Sequence, residues 1–169
     1  MAVQAAALAQ SDLAPRIGII DIQAVLREST AVQSLSNQVD EQRQLVLNAI
    51  QEREETLRSA DVDLAQRRAS LSAEDYAEER EQLSVQGIAL QRDLQEQRRR
   101  LDQLFSRGMA QVQEVLLQIS QDIARENGLD LVLAKTTVII VRPEFDFTGE
   151  ALTRLNAQLA VIGLPAPQN

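Results

Sequence analysis

The chain has 169 residues and a formal net charge of -8, and it contains neither histidine nor cysteine. The lack of these two residue types excludes disulfides, the usual zinc sites, and the Ser-His-Asp and Cys-His nucleophile systems. The excess of negative charge disfavours nucleic acid as a partner of the surface as a whole. We therefore expect a protein that is not an enzyme and that binds no cofactor and no metal.

The first residues suggest a processed export signal. They lack a basic n-region and a full apolar core, but Ala7-Leu8-Ala9 has the small-x-small form that precedes a cleavage site. Met1–Ala9 is therefore interpreted either as the remnant of a signal peptide or as an Ala-rich disordered N-terminus. No run of the sequence is long and apolar enough to span a bilayer.

The first regular elements are predicted to be a strand and a short helix. The run "RIGIID", Arg16 to Asp21, is β-branched and apolar and ends on an acidic residue. This pattern predicts a buried strand, with Asp21 as the N-cap of the helix that follows. Ser29 or Thr30 then offers an N-cap for a longer helix.

A first long helix is predicted from Ala31 to about Arg68, a stretch that holds neither glycine nor proline. Its apolar residues follow each other in steps of three, four and seven, which is typical of a helix with one narrow apolar seam. The seam consists of Val32, Leu35, Val39, Val46, Ile50, Leu57 and Leu64, with Leu71 just beyond.

A second long helix is predicted to begin at Ala73, where Ser72 and Asp75 resemble a capping box, and to end before Gly128. Its seam consists of Leu83, Leu90, Leu94, Leu101, Phe105, Val112, Leu116, Ile119 and Ile123. Two such helices joined by a short turn predict an antiparallel hairpin, on the order of 60 Å long at about 1.5 Å per residue.

The remaining elements are predicted to be two strands and a final helix. "LDLVL" and "VIIVR" are interpreted as the strands of a β-hairpin, joined by a tight "AKTT" connection. The segment "FDFTGEALTRLNAQLAVIG" then predicts an amphipathic helix capped by Asp146 or Thr148. Three short strands make a marginal sheet with exposed edges, so self-association is expected.

Taken together, the two ends of the chain resemble the Skp/OmpH family of periplasmic chaperones. "IGIIDIQAVLRES" and "ENGLDLVLAKTTVIIVRPEFDFTGEALTRLN" carry the resemblance, and the order of elements fits from Arg16 to Asn156. The resemblance implies a mostly helical α+β protein and a jellyfish-like homotrimer. In that assembly, a long coiled-coil-like helical hairpin projects as an arm from a small β body formed by both chain ends.

The resemblance also implies a function and a domain organisation. The function is that of an ATP-independent periplasmic holdase, which keeps unfolded outer-membrane β-barrel proteins from aggregating in a cavity between the arms. A coiled-coil spacer or scaffold of the cell envelope is the alternative. The predicted divisions are a disordered N-terminus 1–15, a body and oligomerisation domain of 16–30 and 105–162, an arm of 31–104, and a loose tail 163–169.

Two sets of apolar residues follow as candidate sites. The expected client-binding residues of the arm are Leu57, Leu64, Leu71, Tyr76, Leu83 and Leu90. The expected oligomer interface consists of Ile17, Ile19, Leu131, Leu133, Val138, Ile140, Phe105, Val112 and Leu116.

Gly87 and the charge of the arm complete the predictions. Gly87 interrupts the second long helix, and it is interpreted either as a position of close packing between the helices or as a hinge of the arm. The segment from Asp40 to Asp102 holds fifteen carboxylates against ten arginines. This acidic arm argues against binding of lipid or lipopolysaccharide.

Overall fold

The computed structural model describes residues 15–163. Met1–Ala9 and the tail beyond residue 163 lie outside the described residues. In chain order the elements are strand β1 (Ile17–Ile20), helices α1 (Ile22–Glu28), α2 (Thr30–Arg67) and α3 (Ala73–Glu126), strand β2 (Leu131–Ala134) and helix α4 (Thr148–Gln158). Single 3-10 turns lie at Lys135–Thr137 and Pro143–Phe145. The prediction of a mostly helical chain with short strands near its ends is confirmed.

The described residues form two compact units. The sheet unit consists of residues 15–29 and 113–160, and the helix-pair unit consists of residues 30–112 and 161–163. Helix α3 contributes residues to both units, because the division falls within it, between residues 112 and 113. The predicted domain boundary was placed between residues 104 and 105.

The sheet consists of β1 and β2, which pair in parallel. Ile17 pairs with Leu131, and the register continues to Ile20 opposite Ala134. A parallel pair needs a long crossover connection, and here helices α1, α2 and α3 make up that connection. The other edge of β1 is also occupied, because the Phe147 N–H donates to the Ile19 carbonyl at 3.0 Å.

The prediction of a second strand after β2 is wrong. Residues 138–142 form no ladder, although Val138 and Arg142 have extended backbone angles. The connection explains the difference, because "AKTT" holds no glycine, asparagine or aspartate for the positive φ angles of a tight hairpin turn. It forms a 3-10 turn instead, at Lys135–Thr137.

Local capping signals are confirmed at three helix ends. Asp21 accepts a hydrogen bond from the Ala24 N–H at 2.9 Å. Ser72 Oγ accepts one from the Asp75 N–H at 3.1 Å and donates to the Asp75 carboxylate. Gly128 has a φ of 60°, and the Leu129 N–H bonds back to the Ala124 carbonyl at 2.8 Å, which closes the end of α3.

Helix α4 begins at Thr148 and ends earlier than predicted, and its N-cap is Phe147, so the prediction of Asp146 or Thr148 as the N-cap is wrong. The Thr148 N–H donates to Asp146 at 3.0 Å, and the Thr148 hydroxyl in turn accepts from the Asp21 N–H at 2.8 Å. The pKa of Asp146 stays below its ordinary value: burial raises it, but the hydrogen bonds from Lys135 and Thr148 outweigh that effect. Residues 159–162, predicted to be helical, lie beyond the helix end at Gln158.

The predicted seams are confirmed as the buried faces of the long helices. In the helix-pair unit the buried apolar residues are Ala31, Leu35, Val39, Ile50, Leu64, Leu90, Leu101, Val112 and Ile162. In the sheet unit α3 buries Leu116, Ile119 and Ile123 beside the strands and α4. The core of each unit is thus built almost wholly from aliphatic side chains.

Two ion pairs and one close approach join α2 to α3 within the helix-pair unit. Arg67 pairs with Glu79 at 2.7 Å, and Arg53 pairs with Asp93 at 2.6 Å. Gly108 lies against the side chain of Leu35, where an added Cβ would be 2.6 Å from a methyl carbon. Residues late in α2 contact residues early in α3, and residues early in α2 contact residues late in α3. This is the order expected of two helices that run in opposite directions.

Gly108, not Gly87, is the glycine of close packing. No heavy atom other than its own helix backbone lies within 4 Å of the ideal Cβ position of Gly87. The close-packing interpretation of Gly87 is therefore wrong. Helix α3 is continuous through Gly87, and a hinge at this residue remains a prediction.

We expect opposite effects when these two glycines are replaced by alanine. Gly108→Ala forces its methyl group into Leu35, and overpacking of this kind costs about 1–3 kcal/mol of unfolding free energy. Gly87→Ala meets nothing and gains about 0.5–1 kcal/mol from the better helix propensity of alanine. Urea titrations followed by circular dichroism would measure both changes. A Gly108→Ala variant as stable as the parent would contradict the packing described here.

Candidate functional site

The six arm residues predicted to bind clients differ in exposure. Leu64 and Leu90 are buried. Leu57, Leu71, Tyr76 and Leu83 are half-buried. The seam of one helix faces the other helix, so the strongest apolar periodicity marks the residues that the two helices cover for each other. Binding at the four half-buried residues remains a proposal, whereas Leu64 and Leu90 present almost no surface.

Tyr76 has a neighbour that the sequence did not indicate. The Arg68 guanidinium carbon lies 4.4 Å from the centre of the Tyr76 ring, within the range of a cation–π contact. The sequence predicts Tyr76 as a contact for clients. The arginine now covers one face of the ring.

Within the helix-pair unit, the most exposed apolar side chains of α2 and α3 lie outside the predicted seams. Leu45, Val62, Val85 and Ile88 are each more than half exposed. Sequence reasoning missed them because it followed the helical period and passed over apolar residues off that period. The signal that could have found them is the residue type itself, since an aliphatic residue off the seam of a charged helix has no intramolecular partner to cover it.

We call these four residues the exposed apolar set. Val85 and Ile88 are one turn apart and therefore share a face of α3. Isolated exposed apolar residues are common on protein surfaces. Their significance here lies in their combination with a helix pair that is otherwise strongly charged.

Charged side chains pair with one another along the same two helices. The hydrogen bonds that Arg67 donates to Glu79 and, with a smaller effect, to Asp63 raise the pKa of its guanidinium above the ordinary value. Arg43 pairs with Asp40, and Arg58 pairs with Glu55. These pairs are solvent-exposed, so each adds little stability; their effect is to keep the helix faces hydrated.

Two shallow cavities lie along the helix pair. One, of about 460 Å³, is lined by Arg53, Thr56, Leu57, Gln86, Ala89, Leu90 and Asp93. The other, of about 320 Å³, is lined by Arg43, Val46, Leu47, Leu94, Arg98, Leu101 and Asp102. Each combines leucines with arginine and aspartate, and neither contains a nucleophile paired with a base.

The residues predicted to form an oligomer interface also differ in exposure. Ile19, Val112 and Leu116 are buried within the chain itself. Ile17, Leu133, Val138 and Phe105 are half-buried, and Leu131 and Ile140 are exposed. The first group is already covered by intramolecular packing, so only the other six could contribute area to a contact between copies.

Residues 138–142, which we call the open segment, hold the most exposed apolar side chains. Ile139 is 100% exposed and Ile140 is 87% exposed. The same unit carries an apolar groove of about 490 Å³, which we call the sheet-unit groove. Its apolar lining residues are Ile20, Ile22, Leu116, Leu117, Ala124, Val132 and Ala134.

Two kinds of feature, a metal-binding cluster and a membrane-spanning helix, are absent from residues 15–163. No group of three or more acidic side chains among them is arranged to hold a metal ion. Within the same range, no helix has the length and apolar character needed to cross a membrane.

The fold of this chain is similar to that of a solved structure, although its sequence has no curated relative that matches. No curated protein sequence matches the chain significantly. A solved structure from Caulobacter crescentus CB15, provisionally described as an OmpH-like outer membrane chaperone, is similar in fold with a TM-score of 0.84. The alignment covers 92% of each chain at 14% sequence identity, and at that identity it shows the fold alone.

The sequence itself identifies the family. The OmpH family, described as outer membrane protein (OmpH-like), matches residues 16–155. The matched range includes both strands, α1, the two long helices and most of α4. This family is not an enzyme family, so the prediction that the chain is not an enzyme is confirmed. The chain belongs to the OmpH-like family.

Proposed function

We propose that this protein is an ATP-independent holdase of the periplasm that binds unfolded outer-membrane β-barrel proteins. Family membership supports a chaperone role. The observation that carries the binding mechanism is the exposed apolar set on the charged helix pair. Clients would be held in a cavity between helical-hairpin arms of a homotrimer until they are inserted into the membrane.

The physical requirement of a holdase favours such a surface. A chaperone that accepts many unfolded chains needs numerous weak contacts, because a tight pocket would select one client and release it slowly. Each of the four exposed apolar residues offers a small contact area, and the neighbouring charges keep the surface hydrated. Binding of this kind needs no nucleotide, and the chain has no phosphate-binding loop of the GxxxxGK type.

Assembly into a trimer is proposed from the sheet unit. The open segment exposes two isoleucines, and the sheet-unit groove offers apolar surface on the same unit. A chain that carries both an apolar extended segment and an apolar groove is complementary to a second copy of itself. We propose that the open segment of one copy lies in the sheet-unit groove of the next.

The client-binding proposal predicts a loss of chaperone activity when exposed apolar side chains are removed. A urea-unfolded outer-membrane β-barrel is diluted into buffer without nucleotide, and aggregation is followed by light scattering. The parent protein should suppress aggregation. Covering each half-exposed side chain contributes about 1 kcal/mol, so the double variant Val85→Ser/Ile88→Ser should bind the client roughly 30-fold more weakly.

The matched control for this assay is Gln91→Ser/Gln95→Ser, which introduces two serines into the same helix without removing apolar surface. It should suppress aggregation as well as the parent does. Equal suppression by both double variants would refute a role for Val85 and Ile88. Unhindered aggregation with the parent protein would refute the holdase function itself.

The assembly proposal predicts that a charge on either side of the contact breaks the oligomer. Ile140→Asp alters the open segment, and Leu117→Asp alters the groove; both side chains are exposed in the single chain, so neither change disturbs its core. Light scattering coupled to size exclusion should show a lower mass for both variants. Val62→Asp, exposed in the helix-pair unit, should leave the mass unchanged. An unchanged mass for Ile140→Asp would contradict the placement.

A further inference from the structure

The segment that follows α4 does not continue the helix but packs with α2. Helix α4 ends at Gln158, and residues 159–163 are non-helical. Residues 161–163 belong to the helix-pair unit. Within this short stretch Ile162 is only 5% exposed, whereas its neighbour Val161 is 62% exposed. One aliphatic side chain of the segment is therefore held in the unit while the adjacent one faces solvent.

Gln38 on α2 binds the backbone of the same segment. Its Nε2 donates to the Ile162 carbonyl at 2.8 Å, and it also lies 3.1 Å from Ser34 Oγ and 3.3 Å from the Ser34 carbonyl. The contact to Ser34, one helical turn earlier, orients the Gln38 amide. Helix α2 thus presents a positioned N–H donor to a carbonyl that belongs to no helix.

These contacts recognise features that almost any unfolded chain has. A backbone carbonyl is present at every residue, and a single buried aliphatic side chain is a weak sequence requirement. Recognition through a main-chain hydrogen bond plus one apolar side chain is a common way to bind non-helical peptides. A competing segment that offers a main-chain carbonyl and one aliphatic side chain can make the same contacts with Gln38 and the helix-pair unit, and can therefore displace residues 161–163.

We infer that Gln38 and the position occupied by Ile162 form a binding site for a non-helical apolar polypeptide segment. We call this the Gln38 site. Residues 161–163 are its resident occupant, and a segment of an unfolded client replaces them. The inference rests on the proposed function and deepens it. It assigns one client contact to α2, and it makes residues 161–163 a competitor of the client for that contact.

The test uses the full-length chain and a fluorescein-labelled peptide with the sequence of residues 159–163, LAVIG. Ile162→Asp removes the resident occupant, and Val161→Asp is the matched control, because it places the same charge on an adjacent, exposed position. Fluorescence anisotropy should show at least fivefold tighter peptide binding by Ile162→Asp than by the parent and by Val161→Asp. Adding Gln38→Ala to Ile162→Asp should abolish the gain.

The same gain should appear with a labelled, urea-unfolded outer-membrane β-barrel. Equal peptide affinity of the parent and Ile162→Asp would overturn the inference, as would a gain for the peptide without one for the β-barrel. If circular dichroism shows that Ile162→Asp does not fold, Ile162→Ala decides in its place. Failure of the parent to suppress aggregation refutes the proposed function, whereas equal affinities in this assay refute the Gln38 site alone.

Discussion

The parallel pairing of β1 with β2 is the constraint on which the sheet unit depends. The backbone of Arg16, just before β1, bonds to Asp130, 114 residues away. Closing so long a loop has an entropic cost that must be offset by dense local packing. The packing is tight at Gly18, where an added Cβ would lie 2.6 Å from Leu129 and 2.8 Å from Phe147. Because the strands are parallel, the chain between them must return to the end of the sheet at which β1 begins. The order of contacts between α2 and α3, which is that of antiparallel helices, is compatible with this return.

The sequence predicts well the features that local chemistry decides. Asp21, Ser72 and Gly128 cap their helices as their residue types indicate, because a cap needs only a few neighbouring residues. The buried seams were also predictable, since burial follows the helical period. The second strand of the supposed hairpin was not, because β-branched residues favour an extended backbone while a ladder needs a partner elsewhere in the chain. The end of α4 at Gln158 was not predicted either, and the residues beyond it include Ile162, whose carbonyl accepts a hydrogen bond from the distant Gln38.

The candidate site was harder to predict for the same reason. Periodicity finds the apolar residues that face another helix, and such residues, for example Leu64 and Leu90, are buried and offer almost no surface to the proposed clients. Residues that face solvent have no pattern to reveal them. The proposed client-binding surface therefore consists of apolar residues that packing within the chain does not cover. Its apolar atoms, such as those of Val85 and Ile88, are left uncovered in a chain that is otherwise charged enough to remain hydrated.

We propose that several copies of this protein together hold one unfolded chain, and native mass spectrometry would reveal such a complex. A urea-unfolded outer-membrane β-barrel is diluted into the protein without nucleotide, and the complexes are weighed intact. We expect a species whose mass corresponds to three copies of this chain and one client. Free client beside an intact oligomer, or client bound to a single copy, would contradict this account.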